Sequence, residues 1–176
     1  MPFTLTNLAR KTLEFSFEGK RFIPDDKIKK EFNVKKACFV TLTKNGNLRG
    51  CVGSIFAKQE LWKDVQQNAL HSAFDDSRFF PLKKEELKEI KIEVSVLSDM
   101  KRLEHKNEND LLKKLAHNMG ILLKKGFYEA TFLPQVWEQI PDKTEFLEQL
   151  SLKAGLNKDA WKTAEILFYT VRAEEE

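Results

Sequence analysis

Histidine, cysteine and methionine are scarce in this chain of 176 residues: three His, two Cys and three Met. The histidines, His71, His105 and His117, stand far apart, and none lies at ligand spacing from another or from a cysteine. A structural zinc site needs about four such ligands, so no metal is expected, and no cofactor is implied. Two cysteines do not make a disulfide framework. No stretch approaches the ~20 apolar residues of a membrane span, and the first twelve residues hold no apolar run of signal-peptide length. These absences point to a soluble protein of a reducing compartment, the cytoplasm.

A dominant charge is missing too. The 30 basic and 27 acidic side chains leave a net +3. Basic pairs such as Lys29-Lys30, Lys35-Lys36 and Lys113-Lys114 have acidic residues close by and read as solvated faces. A dedicated nucleic-acid binder carries a stronger, more segregated positive field, so nucleic acid is the least favoured ligand. The phosphate-cradling G-x-x-x-x-G-K-S/T, the dinucleotide G-x-G-x-x-G, H-E-x-x-H and the G-x-S-x-G elbow are all absent.

What remains is an ordinary globular balance, 41% hydrophobic and 32% charged, with 14 Phe to fill a core. The length suits one domain, or one domain with two lobes. Leu5, Leu8, Ala9 and Leu13 fall on one face of a helix that Gly19 should end. Phe22 to Val34 is mixed, with Pro24 as a breaker. Two β-rich runs, Ala37 to Thr43 and Leu48 to Ile55, flank Asn45-Gly46, the strongest short-range hairpin signal. A helix is expected from Gln59 to Phe74, closed by Asp75-Asp76-Ser77. Arg78 to Pro81 should be extended, and Lys83 to Leu87 forms a turn or two of helix. Ile90, Ile92, Val94 and Val96 alternate with polar residues as a half-buried strand.

Beyond a polar connection from Met100 to Asn109, Leu111, Leu112, Leu115 and Ala116 make a short helix. Ile121 to Lys125 and Phe127 to Leu133 pair across Gly126 as a second hairpin. Asp142 caps a helix that buries Phe146, Leu147, Leu150 and Ala154 and stops at Gly155. Ile166 to Arg172 is a last strand, and Glu174-Glu175-Glu176 is expected to fray. Hairpins with interspersed helices and no βαβ alternation argue for an α+β fold with antiparallel sheets. Trp62, Trp137 and Trp161 read as packing residues.

Leu48-Arg49-Gly50-Cys51-Val52-Gly53 stands apart. Two glycines three residues apart inside a strand cost stability, and that cost usually marks a bulge or a close approach. Alternation would put Arg49, Cys51 and Gly53 on one face. A guanidinium beside the thiol would favour the thiolate. With a two-residue turn, Val40 faces Cys51 and Cys38 lies diagonal to it, about 7–8 Å away and too far for an easy disulfide. The plainer reading makes Cys51 a small core residue.

These residues resemble the signature Leu-Arg-Gly-Cys-Ile-Gly of the AMMECR-one family, with Val52 in place of Ile. Phe39-Val40-Thr41-Leu42, Asn68-Ala69, Ala73-Phe74 with Asp76-Ser77-Arg78-Phe79, Glu93 to Leu97 and Leu133-Pro134-Gln135-Val136-Trp137 match other family blocks in order. The resemblance runs from about Leu5 to Val171. It implies two unequal subdomains within one 1–176 domain, each with an antiparallel β-sheet flanked by helices and a cleft between them. The larger would contain both termini and the smaller would be inserted. Leu48, Arg49, Gly50, Cys51, Val52, Gly53, Arg78, Phe79 and Gln135 would line that cleft. It also implies a Memo-like protein and a radical SAM enzyme as partners, without naming a catalytic residue. Of three functions, a binding or accessory component is favoured. An enzyme with Cys51 as nucleophile, Arg49 stabilising the thiolate and His71 as base comes second, and nucleic-acid binding third.

Overall fold

Thr4 starts the first helix, α1 (Leu5–Phe17), by accepting a hydrogen bond from the Asn7 N–H while the Asn7 side chain accepts from the Thr4 N–H. The stripe of Leu5, Leu8, Ala9 and Leu13 is buried, as its spacing predicts, and Gly19 beyond the helix has φ +69°. In the computed structural model, which describes residues 2–176, the chain forms two units. One holds the chain up to Leu97 together with Arg172–Glu176, and the other holds Ser98–Val171.

In the first unit, Asp25 caps a short helix, α2 (Asp26–Glu31), within the segment that reads as mixed. Strands β1 (Cys38–Lys44) and β2 (Asn47–Gly53) form the expected hairpin. Asn45 and Gly46 both take positive φ, 52° and 78°, as a type I′ turn requires. Helix α3 (Leu61–Phe74) follows. Asp76 to Phe79 then closes as a turn, with the Phe79 N–H bonded to the Asp76 carbonyl. That differs from the extended segment expected before Pro81. A 3-10 turn (Lys84–Lys88) leads into β3 (Ile90–Leu97), which pairs antiparallel with β1. Cys38, Val40 and Leu42 of β1 and Ile92 and Val94 of β3 pack against Leu8 and Leu13 of α1 and Val65 and Ala69 of α3. Each fully buried aliphatic side chain there contributes about 1.5–3 kcal/mol.

The second unit has its own core. Strand β4 (Lys101–Arg102), helix α4 (Glu108–Lys114), the hairpin β5 (Gly120–Lys125) and β6 (Tyr128–Phe132), helix α5 (Lys143–Lys153) and β7 (Glu165–Tyr169) follow in sequence. The strands make one antiparallel sheet of order β4-β7-β5-β6. Trp137 stacks on Phe146 of α5 with ring centroids 3.6 Å apart. The buried Tyr169 ring lies where a Cβ on Gly120 would sit, 2.3 Å away.

The strand expected from Ile166 to Arg172 is in fact two. Thr170 separates them, because Ser98 takes both its groups: the Ser98 N–H bonds the Thr170 carbonyl and the Thr170 N–H bonds the Ser98 hydroxyl, each at 2.9 Å. The second piece, β8 (Val171–Glu175), lies beside β3 and completes a sheet of order β2-β1-β3-β8. The final glutamates are therefore not frayed. Glu174 Oε1 accepts from the Leu5 and Thr6 N–H groups at 2.6 and 3.2 Å, and Glu176 pairs with Arg10. A carboxylate on the first free N–H groups of a helix satisfies them and complements its dipole. Glu174→Ala should therefore cost about 1 kcal/mol; urea denaturation should show a lower midpoint at unchanged slope.

Candidate functional site

The hairpin does not keep the register of a simple two-residue turn. Thr43 opposes Leu48, but Leu42 opposes Gly50, so Arg49 is the extra residue of a β-bulge. The bulge moves Cys51 one position along β1. Its partner is Thr41, not Val40. Cys51 and Gly53 share the face of Thr41 and Phe39, while Arg49 leaves the alternation. Cys38 belongs to the opposite, core face and is fully buried, so the diagonal neighbour expected for Cys51 is not there.

The glycines answer to close approach. A Cβ on Gly50 would stand 2.1 Å from the Ser72 carbonyl oxygen of α3, and one on Gly53 would stand 2.3 Å from the Phe39 ring. Helix α3 thus rests on the backbone of β2. The Ser72 hydroxyl enters the ladder, donating to the Val40 carbonyl at 2.7 Å and accepting from the Val52 N–H at 2.9 Å. Val52 pairs with the buried Val40 on the core face, whereas Leu48 is exposed.

Behind β2, the turn after α3 holds the outward backbone groups of Cys51. Asp76 Oδ2 accepts from the Cys51 N–H at 2.9 Å, and Arg78 Nη2 donates to the Cys51 carbonyl at 3.3 Å. The two side chains are bonded to each other, Arg78 Nε to Oδ1 at 3.0 Å and Nη2 to Oδ2 at 2.8 Å. Arg78 hydrogen bonds, helped by the Cys51 and Arg78 N–H groups, hold the Asp76 carboxyl down at about 2, from an ordinary 3.8. The arginine beside the thiol is therefore Arg78. Burial pushes the Cys51 thiol up, outweighing the Thr41 hydroxyl 3.3 Å from Sγ and the Arg78 charge. Asp76 and Glu93 push in the same direction as burial.

Arg49, expected to stabilise a thiolate, is committed elsewhere. It binds Glu86 bidentately, Nε to Oε1 and Nη2 to Oε2, both at 3.0 Å. Lys44 adds a contact at 3.3 Å, and the Lys83 N–H bonds Oε2. Arg49 is the first cause that brings the Glu86 carboxyl down to about 2. The pair ties the bulge to the 3-10 turn. His71 is half-buried on α3, and the hydrogen-bond partner of the Cys51 thiol is Thr41, not His71. Phe79 is half-buried, 5.4 Å from the Arg78 guanidinium carbon and 6.0 Å from that of Arg49. Gln135 lies in the second unit, exposed in a 3-10 turn (Pro134–Glu138). Among the described residues no three His, Cys, Asp or Glu side chains group where a metal ion could be held, and no helix is long and apolar enough to cross a membrane.

Three residues that build the site carry no prior signal of their own: Ser72, Glu86 and the carboxylate of Asp64. Asp64 is 2% exposed and makes no ion pair among the described residues. It accepts from the Cys38 N–H at 3.0 Å, its thiol at 3.3 Å, the Ser54 hydroxyl at 2.8 Å and the Gln59 and Asn68 amides at 3.0 Å. Asp64 and Asn68 are one helical turn apart, a spacing that could have marked them as a pair facing the strand.

These contacts define an α+β protein whose glycine-bearing edge strand is clamped by a helix and by an Asp-Arg turn. The chain is a member of the AMMECR1 family, whose model matches residues 6–175. It is 41% identical over 160 residues to a protein of Nanoarchaeum equitans, covering 89% of each, and 33% identical over 177 residues to one of Aquifex aeolicus, covering 97% of this chain and 89% of that one. Among solved structures it is similar to an uncharacterised protein of Pyrococcus horikoshii, with a TM-score of 0.90 at 32% identity over 98% of this chain and 89% of that one.

Two outcomes follow from these electrostatics. Asp76 and Glu86 titrate lower in the folded chain than free, so their stabilisation is complete only above the free values of 3.8 and 4.5 and fades as pH falls toward about 2. Asp76→Asn should cost about 2 kcal/mol near neutral pH and progressively less below about pH 4, as urea titrations at several pH values would measure. Alkylation of Cys51 in a Cys38→Ala background should be slow near neutral pH and accelerate only in alkali. Arg49→Gln should leave that profile unchanged, while Arg78→Gln should shift it further up.

Proposed function

We propose that this protein is a binding component whose site is the corner formed by Arg78, Phe79 and the Cys51 strand, and whose ligand presents an anionic group there. The observation that carries the reading is the state of Arg78. Its Nε and Nη2 are pinned by Asp76 and the Cys51 carbonyl, so the guanidinium is fixed in direction. Its side chain is nevertheless 55% exposed, and its Nη1 makes no hydrogen bond among the described residues. A guanidinium oriented in advance loses little freedom on gripping a carboxylate or phosphate. The flat ring of Phe79 supplies an apolar wall beside it. Because Asp76 already balances the charge, recognition depends on directed N–H groups more than on net attraction.

A nucleophilic Cys51 is the second reading. Thr41 and Arg78 favour it, but burial holds the thiol protonated and no base touches it among the described residues. The partners that the family resemblance implies, a Memo-like protein and a radical SAM enzyme, are the first to test. Binding titrations against each, taken from the same organism, should find Cys51→Ser unchanged within about twofold. Arg78→Gln, with its fold checked by circular dichroism, should weaken binding by about tenfold. Parental affinity in Arg78→Gln, or lost affinity in Cys51→Ser alone, would sink the reading.

A further inference from the structure

The structure assigns a second binding site, for a nucleoside monophosphate, to a different stripe of α3. Lys63, Gln66, Gln67 and Leu70 recur at helical spacing and line a cavity of 310 Å³ together with Thr12 of α1 and the exposed Arg21. This is the lower end of the ~300–1,000 Å³ range of small-molecule sites, the size of one nucleotide rather than two. No acidic side chain lines it.

The amide orientations follow from their partners. Gln66 is 7% exposed, and its Nε2 lies 2.9 Å from the Phe22 carbonyl and 3.1 Å from the Thr12 hydroxyl. A carbonyl can only accept, and the Thr12 hydroxyl gives its proton to Leu8, so Nε2 must face both. Gln66 Oε1 is left without a partner among the described residues, on a side chain that lines the cavity. Gln59 is fixed likewise: its Nε2 donates to Asp64 Oδ1 at 3.0 Å and Gln67 Oε1 at 2.8 Å. That leaves Gln59 Oε1 as an unused acceptor and Gln67 Nε2 as an unused donor among the described residues. Arg21 makes no hydrogen bond or ion pair among the described residues, and Lys63 is tethered to Glu60 at 2.8 Å.

The site thus offers two amide oxygens, one amide N–H₂, an uncommitted guanidinium and the apolar Leu70. A base edge matches this set, with N–H donors for Gln66 and Gln59 and an acceptor for Gln67. Arg21 suits a phosphate. An inorganic anion alone would leave the amide oxygens unanswered.

The test is a protein-observed NMR titration of the full chain with AMP, GMP, CMP, UMP and inorganic phosphate. The expected result is saturable shifts at Gln59 and across Lys63 to Leu70 with at least one nucleotide, and at least tenfold weaker binding of phosphate. Arg21→Ala touches no internal bond and should keep its fold while weakening the nucleotide by about tenfold. Gln67→Ala should change the ranking among bases, and Arg78→Gln should leave affinity unchanged. Absence of saturable shifts with every nucleotide, equal binding of inorganic phosphate, or an unaffected Arg21→Ala variant would each overturn the assignment.

Discussion

Gly50 has a hydrogen where other residues have a carbon, and α3 occupies the space so released. With the Ser72 carbonyl 2.1 Å from where a Cβ would be, helix and strand are in backbone contact. That contact brings the Ser72 hydroxyl into the β1–β2 ladder and sets where α3 ends. The end of α3 in turn decides where Asp76 and Arg78 fall, and they fall on the free groups of Cys51. A larger residue at position 50 would lift the helix end, and the hydroxyl, carboxylate and guanidinium would lose their targets together.

The clamp also defines what β2 cannot do. An edge strand normally offers its outward N–H and C=O groups to any passing strand. At Cys51 both are already taken by side chains, so peptide addition along this edge is blocked there. Under the proposed reading, recognition at this edge would come from side chains such as Arg78 and Phe79 rather than from strand addition. The same packing that makes the face rigid buries the thiol, so rigidity and thiolate reactivity oppose each other at Cys51.

Local signals carried much of the fold. The Asn45-Gly46 turn, the α1 stripe and the Asp142 cap are each read within a dozen residues and found as expected, as is the β3 alternation from Ile90 to Val94, beyond which Ser95 is buried and Val96 half-buried. The bulge escaped because one added residue leaves both the turn and the polar-apolar alternation looking sound while shifting every partner beyond it. Helix α2 escaped because six residues hold no apolar stripe. Strand β8 escaped because Glu174-Glu175-Glu176 looks like a solvated tail until the partners of Glu174 and Glu176 in α1, 166 to 169 residues away, are known. At the site, the glycines pointed correctly to bulge and close approach. The pairing of Arg49 did not follow from its neighbours, because Glu86 lies 37 residues on.

Glu174 reaching Leu5 spans 169 positions, so α1 is completed by a strand made 169 residues after it. Until residue 171 and those after it leave the ribosome, β3 has a bare side and the start of α1 has open N–H groups. In the meantime Ser98–Val171 can form its own core. The first unit is then a structure begun early and finished late, exposed throughout synthesis to whatever strand or carboxylate arrives before its own.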